Sequence, residues 1–272
     1  MTDTVGFEWA LLGKEPGQRE DYQILCAGGA RLRPATLERI IQHFSPGSPA
    51  GERAGEPDAL PWITFTAATS GETPYVGVAI REWPADPTRA VDATGRVVIP
   101  TRFFCLPLDD FRRHLGSFTA LYEAVRVATV SHLRRLPEVT GGQALSLHPA
   151  ASPPRREGAL ASPALRLLRG AVVTAALALD GPVVVRPVPE LASHSARIAF
   201  LDLVAALLPA GAEGALAVGT WVDVATSHRL RVAFGQDLGG TGRQVDPTAP
   251  RGSARRTRTT NGLPATPPCW RT

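Results

Sequence analysis

Hydrophobic and polar residues alternate at the start of the chain in the way expected for a β-strand. Phe7, Trp9 and Leu11 alternate with Glu8 and Ala10, which predicts a half-buried strand with one face toward a core. Further strands are predicted at 22–27, 62–67, 75–81, 183–185, 215–222 and 229–234, and an apolar stretch at 97–106 is interrupted by Pro100.

Two of these strand pairs are separated by short polar connections. Residues 69–74 contain Gly71 and Pro74 between two β-rich stretches and predict a hairpin. The connection at 223–228 is also short enough for a hairpin. Antiparallel neighbours are therefore expected at both places.

Apolar residues recur at helical spacing in other parts of the chain. The clearest stripe follows Ser117 and consists of Phe118, Leu121, Tyr122, Val125 and Ala128. Further helices are predicted at 36–44, 164–179 and 195–208. The mixture of elements predicts an α/β (or α+β) fold.

A stretch rich in proline and small polar residues, 148–163, predicts a linker between two units. Residues 1–147 are expected to form a mainly β sheet with a covering helix, and 164–234 a second, small α/β unit. Residues 235–272 contain many glycines and prolines and few hydrophobic residues, so we expect a disordered tail.

The distribution of charge separates this tail from the rest of the chain. The formal net charge is +4; the tail holds six arginines and two acids, which leaves 23 basic and 23 acidic residues in 1–234. A charge-balanced body argues against a nucleic-acid-binding protein, except through the basic tail. The tail is either a basic interaction arm, able to bind nucleic acid or an anionic membrane, or a frameshifted or truncated end.

Cysteine and lysine are rare, which excludes several kinds of chemistry. Three widely separated cysteines form no CxxC pair, and an odd, sparse count fits a reducing cytosol. Lys14 is the only lysine, and it lies in neither a phosphate-binding loop nor an apolar setting. We expect no cofactor, no metal, no membrane-spanning segment and a cytoplasmic location.

Five residues are candidates for a catalytic role. Cys26 and Cys105 could act as nucleophiles if a base lay nearby. Asp109 and Asp110 precede His114, a combination that could serve acid–base catalysis. The structural alternative is that the cysteines are core residues and the acids favour the first turn of a short helix.

Large aromatic residues offer a different kind of candidate. Trp62 and Trp83 flank the predicted hairpin and would mark a binding patch if they were exposed. Trp9 and Trp221 are expected to lie in the core.

Two stretches, within 5–45 and 196–234, resemble large actinobacterial GTPase-associated proteins of conflict or signalling systems. The first is carried by Trp9, a glycine-containing turn, Tyr22, Gln23 and Leu32. The second is carried by Leu207, Leu208, Pro209, Thr220, Trp221, His228, Arg229, Leu230 and Arg231. The resemblance implies a regulatory or scaffolding role beside a small GTPase, no set of catalytic residues, and a chain that is a fragment of a longer one.

The leading hypothesis is therefore a cytosolic interaction or regulatory module with a protein partner, in a system linked to a small GTPase. The alternative is a hydrolase-type enzyme whose site is assembled from dispersed Cys, His and Asp residues. The first predicts an exposed apolar patch, and the second predicts a cleft in which a thiol or carboxylate meets an imidazole.

Overall fold

The structure, a computed structural model, describes residues 5–15, 17, 19, 21–45, 60–84, 86–131, 145–147, 167–222, 229–235, 243–249 and 254–256. The strands within these ranges are β1 (Val5–Gly13), β2 (Gln23–Gly28), β3 (Trp62–Ser70), β4 (Thr73–Arg81), β5 (Thr101–Pro107), β6 (Leu145–Leu147), β7 (Val183–Val185), β8 (Val218–Gly219), β9 (Val232–Phe234), β10 (Arg243–Val245) and β11 (Ala254–Arg256). The helices are α1 (Pro34–His43), α2 (Leu108–His114), α3 (Phe118–Ser131), α4 (Leu168–Asp180) and α5 (His194–Leu207).

The strands form one mixed sheet in the order β11-β10-β7-β9-β8-β3-β4-β5-β1-β2, with β6 paired to β1. The half from β3 to β2 is antiparallel, whereas β8, β9, β7 and β10 run parallel to one another. The halves join where Thr64 and Phe65 of β3 pair with Gly219 and Val218 of β8. The α/β fold class predicted from the sequence is confirmed.

Helices cover the sheet on both faces. Side chains such as Phe7 and Trp9 of β1 point into a core shared with α2 to α5, and Ala10 and Leu12 point into a second core under α1. The alternation predicted only a half-buried strand. Glu8 and Ala10, expected on the solvent side, are buried because α1 and the loop before it pack there.

Two of the predicted helices are fixed to each other by a buried carboxylate. Asp202 of α5 accepts hydrogen bonds from the backbone N–H of Phe118 at 2.6 Å and of Thr119 at 3.0 Å, and from the Thr119 hydroxyl at 2.6 Å. The Ser117 hydroxyl accepts from the Ala120 N–H at 3.1 Å. The first N–H groups of α3, which have no partner inside the helix, are thereby satisfied.

The central parallel strands have apolar residues on both faces. Val183, Val184 and Val185 of β7 are all nearly inaccessible to solvent, as are the residues of β9. Such continuous apolar runs are typical of parallel strands that are covered on both sides.

The predicted hairpin between 215–222 and 229–234 is wrong. β8 and β9 lie parallel because β9 is inserted between β8 and β7, which have the same direction. The hairpin predicted around 69–74 is confirmed, since β3 and β4 pair antiparallel from Trp62 and Arg81 to Ser70 and Thr73.

The two predicted units share a sheet and a core. The core that holds Phe7 and Trp9 also contains Leu201 and Val232 from the later part of the chain. The boundary 148–163 lies outside the described residues, so the linker stays a prediction.

The fold extends beyond residue 234, the predicted end of the second unit. β10 and β11 lie at one edge of the sheet, and Val245 is fully buried. Gly170 of α4 lies so close to this segment that a Cβ there would be 2.4 Å from the Pro247 carbonyl oxygen. The prediction of a disordered tail is therefore wrong for 243–249 and 254–256, and residues 257–272 lie outside the described part of the chain.

Candidate interaction surface

The two predicted nucleophiles lie in different parts of the sheet. Cys105 is buried in β5, in register with Glu8 of β1, and Cys26 is half-buried in the edge strand β2. Burial, and to a smaller degree the Glu8 carboxylate, raises the pKa of Cys105, and burial raises the pKa of Cys26. Both thiols are thus held in the protonated, weakly nucleophilic form at neutral pH.

The carboxylate beside Cys105 has a structural partner. Glu8 accepts hydrogen bonds from the backbone N–H groups of Ala30 at 3.3 Å, Arg31 at 3.0 Å and Leu32 at 3.0 Å. Gly29 lies against the same carboxylate with φ +121°, and a Cβ there would be 2.2 Å from a Glu8 oxygen. Glu8 therefore holds the loop that leads into α1, a role that the alternation pattern did not indicate.

The acids and the histidine predicted as an acid–base group all lie on α2. Asp109 is 4.0 Å from Arg112, and Asp110 is 3.4 Å from Arg31. The acids lie in the first turn of α2 and the basic residues, including His114, in its last turn, with Asp110 and His114 one turn apart on the same side. This is the charge distribution that complements a helix dipole.

Cys105 and helix α2 do not form a common site. The Cys105 side chain belongs to the core under α1, whereas Phe111 and Leu108 of α2 pack into the core on the other face of the sheet. The thiol and the helix that carries His114 are therefore separated by the sheet.

The tryptophans are mostly core residues. Trp9 and Trp221 are buried, as predicted. Trp62 is only 2% exposed and belongs to the core that holds Phe7 and Trp9, so it cannot form part of an exposed binding patch. Trp83 is half-buried just after β4.

An exposed apolar surface lies instead on α4. Val172 is 48% exposed and Leu179 is 51% exposed, and the exposed Ala176 lies between them on the same side of the helix. Arg169 and Asp180 mark its two ends. We call Val172, Ala176 and Leu179 the α4 face.

The fully buried side of α4 consists of small residues, Gly170, Ala171, Thr174, Ala175 and Ala178. The Thr174 hydroxyl donates to the Gly170 carbonyl at 2.8 Å, so this buried polar residue is also satisfied. The small residues allow α4 to approach α5 and the sheet closely. Leu168, Val173 and Leu177 pack partly against the core, and Val172 and Leu179 are left exposed.

Sequence reasoning missed the α4 face, because the residue pattern of this helix predicts burial. A helix was predicted at 164–179, and within the observed α4 the polar residues are Arg169, Thr174 and Asp180. A helix that is apolar all round is normally buried on all sides. Since α4 is the outer layer over β7 and β10, one of its apolar sides is left exposed.

No match to this chain was found among protein-family models, curated proteins or solved structures. In the described part of the chain, no helix combines the length and the apolar character required to cross a membrane. Among those same residues, no three His, Cys, Asp or Glu side chains gather closely enough to hold a metal ion.

Proposed function

We propose that this chain is a cytosolic interaction or regulatory module that binds a protein partner through the α4 face. The observation that carries the proposal is the exposure of Val172 and Leu179 on a helix without polar residues between them, apart from the buried Thr174. Exposed apolar surface of this kind is a common property of protein-binding sites. The resemblance to GTPase-associated proteins makes a small GTPase of a bacterial system the partner to test first.

The alternative, a hydrolase, has less support. Its candidate thiols have raised pKa values, and its candidate histidine lies on a helix packed against the opposite face of the sheet from Cys105. A nucleophile requires a base within hydrogen-bond reach.

Site-specific photo-crosslinking tests the proposed function directly. A benzophenone amino acid in place of Ala176 should give a covalent adduct that mass spectrometry identifies as a small GTPase. The same group at Arg89, whose side chain is 89% exposed in a loop, serves as the control and should give none. An adduct with a different protein would contradict the GTPase link, and no adduct from position 176 would contradict the docking function.

The size of the expected effect follows from the exposed areas. Covering the exposed halves of Val172 and Leu179 contributes about 1 kcal/mol each, because full burial of such side chains is worth about 1.5–3 kcal/mol. The double variant Val172→Ala, Leu179→Ala should therefore bind the crosslinked GTPase about 30-fold more weakly. Leu25→Ala, which truncates an equally apolar residue on β2, should leave the affinity unchanged.

A further inference from the structure

The rim of the α4 face carries an excess of positive charge. At the N-terminal end of the helix, Arg169 is exposed and lies about one turn before Val172, on the same side. At the C-terminal end, the Arg231 guanidinium donates to the Leu179 carbonyl at 3.2 Å. The exposed apolar stripe therefore has an arginine at each end.

The acid at this rim does not cancel the excess. Asp180, the last residue of α4, lies 3.0 Å from Arg243 of β10, so its carboxylate already has a partner. Arg256 of β11 is the register partner of Arg243, which places a further basic residue in the strand at the edge of the sheet. Arg169, Arg231 and Arg243 thus stand against the single negative charge of Asp180.

The helix dipole acts in the same direction at the N-terminal end of α4. The N–H groups of the first turn carry partial positive charge, and Arg169 adds a full positive charge beside them. The first turn contains no acidic residue that would compensate. A carboxylate of a binding partner is therefore favoured at this end by both the arginine and the dipole.

This distribution of charge argues against two other occupants of the face. If two copies of the chain met through α4, arginines would lie against arginines or against an aspartate that is already paired. An anionic membrane would suit the basic charge, but the face offers Val172, Ala176 and Leu179, which is little apolar area for insertion into lipid.

The length of the face defines the spacing that a partner needs. Arg169 and Leu179 are ten residues apart in α4, which corresponds to about 15 Å along the helix axis. A partner helix that lies along α4 then needs two carboxylates about eleven residues apart, with apolar side chains four and seven residues after the first carboxylate. These four positions lie on one side of a helix.

We propose that the α4 face binds an amphipathic helix of the protein partner, in which acidic residues flank the apolar stripe. Val172 and Leu179 contact the apolar side chains, Arg169 binds one carboxylate, and Arg231 binds the other through N–H groups that it does not give to Leu179. This inference rests on the proposed function and specifies the chemistry of the partner's surface.

Two synthetic helical peptides that differ only in charge test this chemistry without a GTPase. Both carry leucine at the two apolar positions, one carries glutamate and the other lysine at the two flanking positions, and the rest is alanine and glutamine. Fluorescence anisotropy gives the Kd of each labelled peptide for the full chain. The glutamate peptide should bind about 30-fold more tightly at low salt, and added salt should reduce this preference. Equal affinities, or binding of neither peptide below about 1 mM, would overturn the inference.

Variants of the chain assign the charge effect to the α4 face. Arg169→Glu should abolish the preference, because one end of the face then attracts lysine while the other still attracts glutamate, and the new acid suits the first turn of the helix. Arg89→Glu reverses a charge in an exposed loop and should keep the preference. The double variant Val172→Ala, Leu179→Ala should weaken both peptides equally. An unchanged preference in Arg169→Glu would mean that the peptides bind elsewhere.

The outcomes separate this inference from the proposed function. A protein crosslinked at position 176, together with equal peptide affinities, would keep the docking function and reject the acidic helix. A preference for the glutamate peptide without a crosslinked protein would keep the chemistry of the face and reject the docking function. Sedimentation with phosphatidylserine vesicles completes the test, and vesicle binding that Arg169→Glu abolishes would overturn the inference in favour of a membrane.

Discussion

Asp202 is the group whose ionisation should make the stability of the native protein depend on pH, and its replacement by asparagine should remove this dependence. Its carboxylate is buried between α5 and the start of α3 and accepts three hydrogen bonds. Burial raises its pKa, and the hydrogen bonds from Thr119 and Phe118 oppose this effect without cancelling it, so the pKa is about 6. We expect the native protein to hold a proton on Asp202 that the unfolded chain releases.

The direction in which Asp202 changes stability with pH follows from proton linkage. Between the unfolded pKa of 3.8 and the folded pKa of about 6, the native state binds more protons than the unfolded state. The contribution of Asp202 to stability is therefore complete below pH 3.8 and is lost as the pH rises through 6. A difference of this size between the folded and unfolded pKa values corresponds to about 3 kcal/mol.

The assay is urea unfolding of the wild type and of Asp202→Asn at pH 4 and at pH 8. The variant cannot titrate at this position, so other acids with shifted pKa values, such as Asp246, cancel in the comparison. The stability of the wild type relative to Asp202→Asn should be about 2.5 kcal/mol greater at pH 4 than at pH 8, since the unfolded carboxyl is already partly protonated at pH 4. An exposed acid changed in the same way, Asp109→Asn, should give a difference near zero.

A stability difference that is the same at both pH values, or larger at pH 8, would refute this reasoning. It would mean that the three donors stabilise the charged form of Asp202 more than burial destabilises it. Asp202→Asn is also expected to lose stability at pH 8, because an NH2 group replaces one carboxylate oxygen and then faces a backbone or hydroxyl donor.

Two further results are expected. Gly29→Ala should lower the free energy of unfolding in urea by about 3 kcal/mol, because alanine is strained at φ +121° and its Cβ displaces the Glu8 carboxylate. Gly71→Ala, the control, adds a Cβ in open space at φ +61° and should lower it by about 1 kcal/mol. A larger cost at Gly71 would contradict this account of the loop. In a Cys269→Ser variant, Ellman's reagent at pH 8 should modify Cys26 in the native protein and Cys105 only after unfolding, because Cys105 is buried. Rapid modification of the native double variant Cys26→Ser, Cys269→Ser would contradict this, since Cys105 is then the remaining thiol.

Much of the local structure could be predicted from residue periodicity. The β3–β4 hairpin and the stripe of α3 depend on neighbours in sequence, and both were predicted close to their observed positions. The direction of β9 could not be predicted, because it depends on β7, which lies about 50 residues earlier in the chain. A short connection favours a hairpin only when no other strand competes for the same edge.

The site was harder to predict than the fold. Trp62 and Trp83 were chosen for size, but the exposure of a side chain depends on which helix lies above it. Trp62 is buried in the core that holds Phe7 and Trp9, whereas nothing in the described structure covers Val172 of α4. Valine and leucine in a helix predict a core position. Whether they are buried depends on the layer that the helix occupies, and the residue pattern does not indicate that layer.

The position of β1 in the sheet has a consequence for synthesis on the ribosome. β1 pairs with β2 soon after it emerges, but its other long neighbour is β5, and Trp9 meets Phe104 about 95 residues later. At a translation rate of about 5–20 residues per second, the edge of β1 that pairs with β5 remains unpaired for roughly 5–20 s. During that interval Phe7 and Trp9 lack the helices that later cover them, so the nascent chain presents an unpaired strand edge and bare aromatic rings to chaperones.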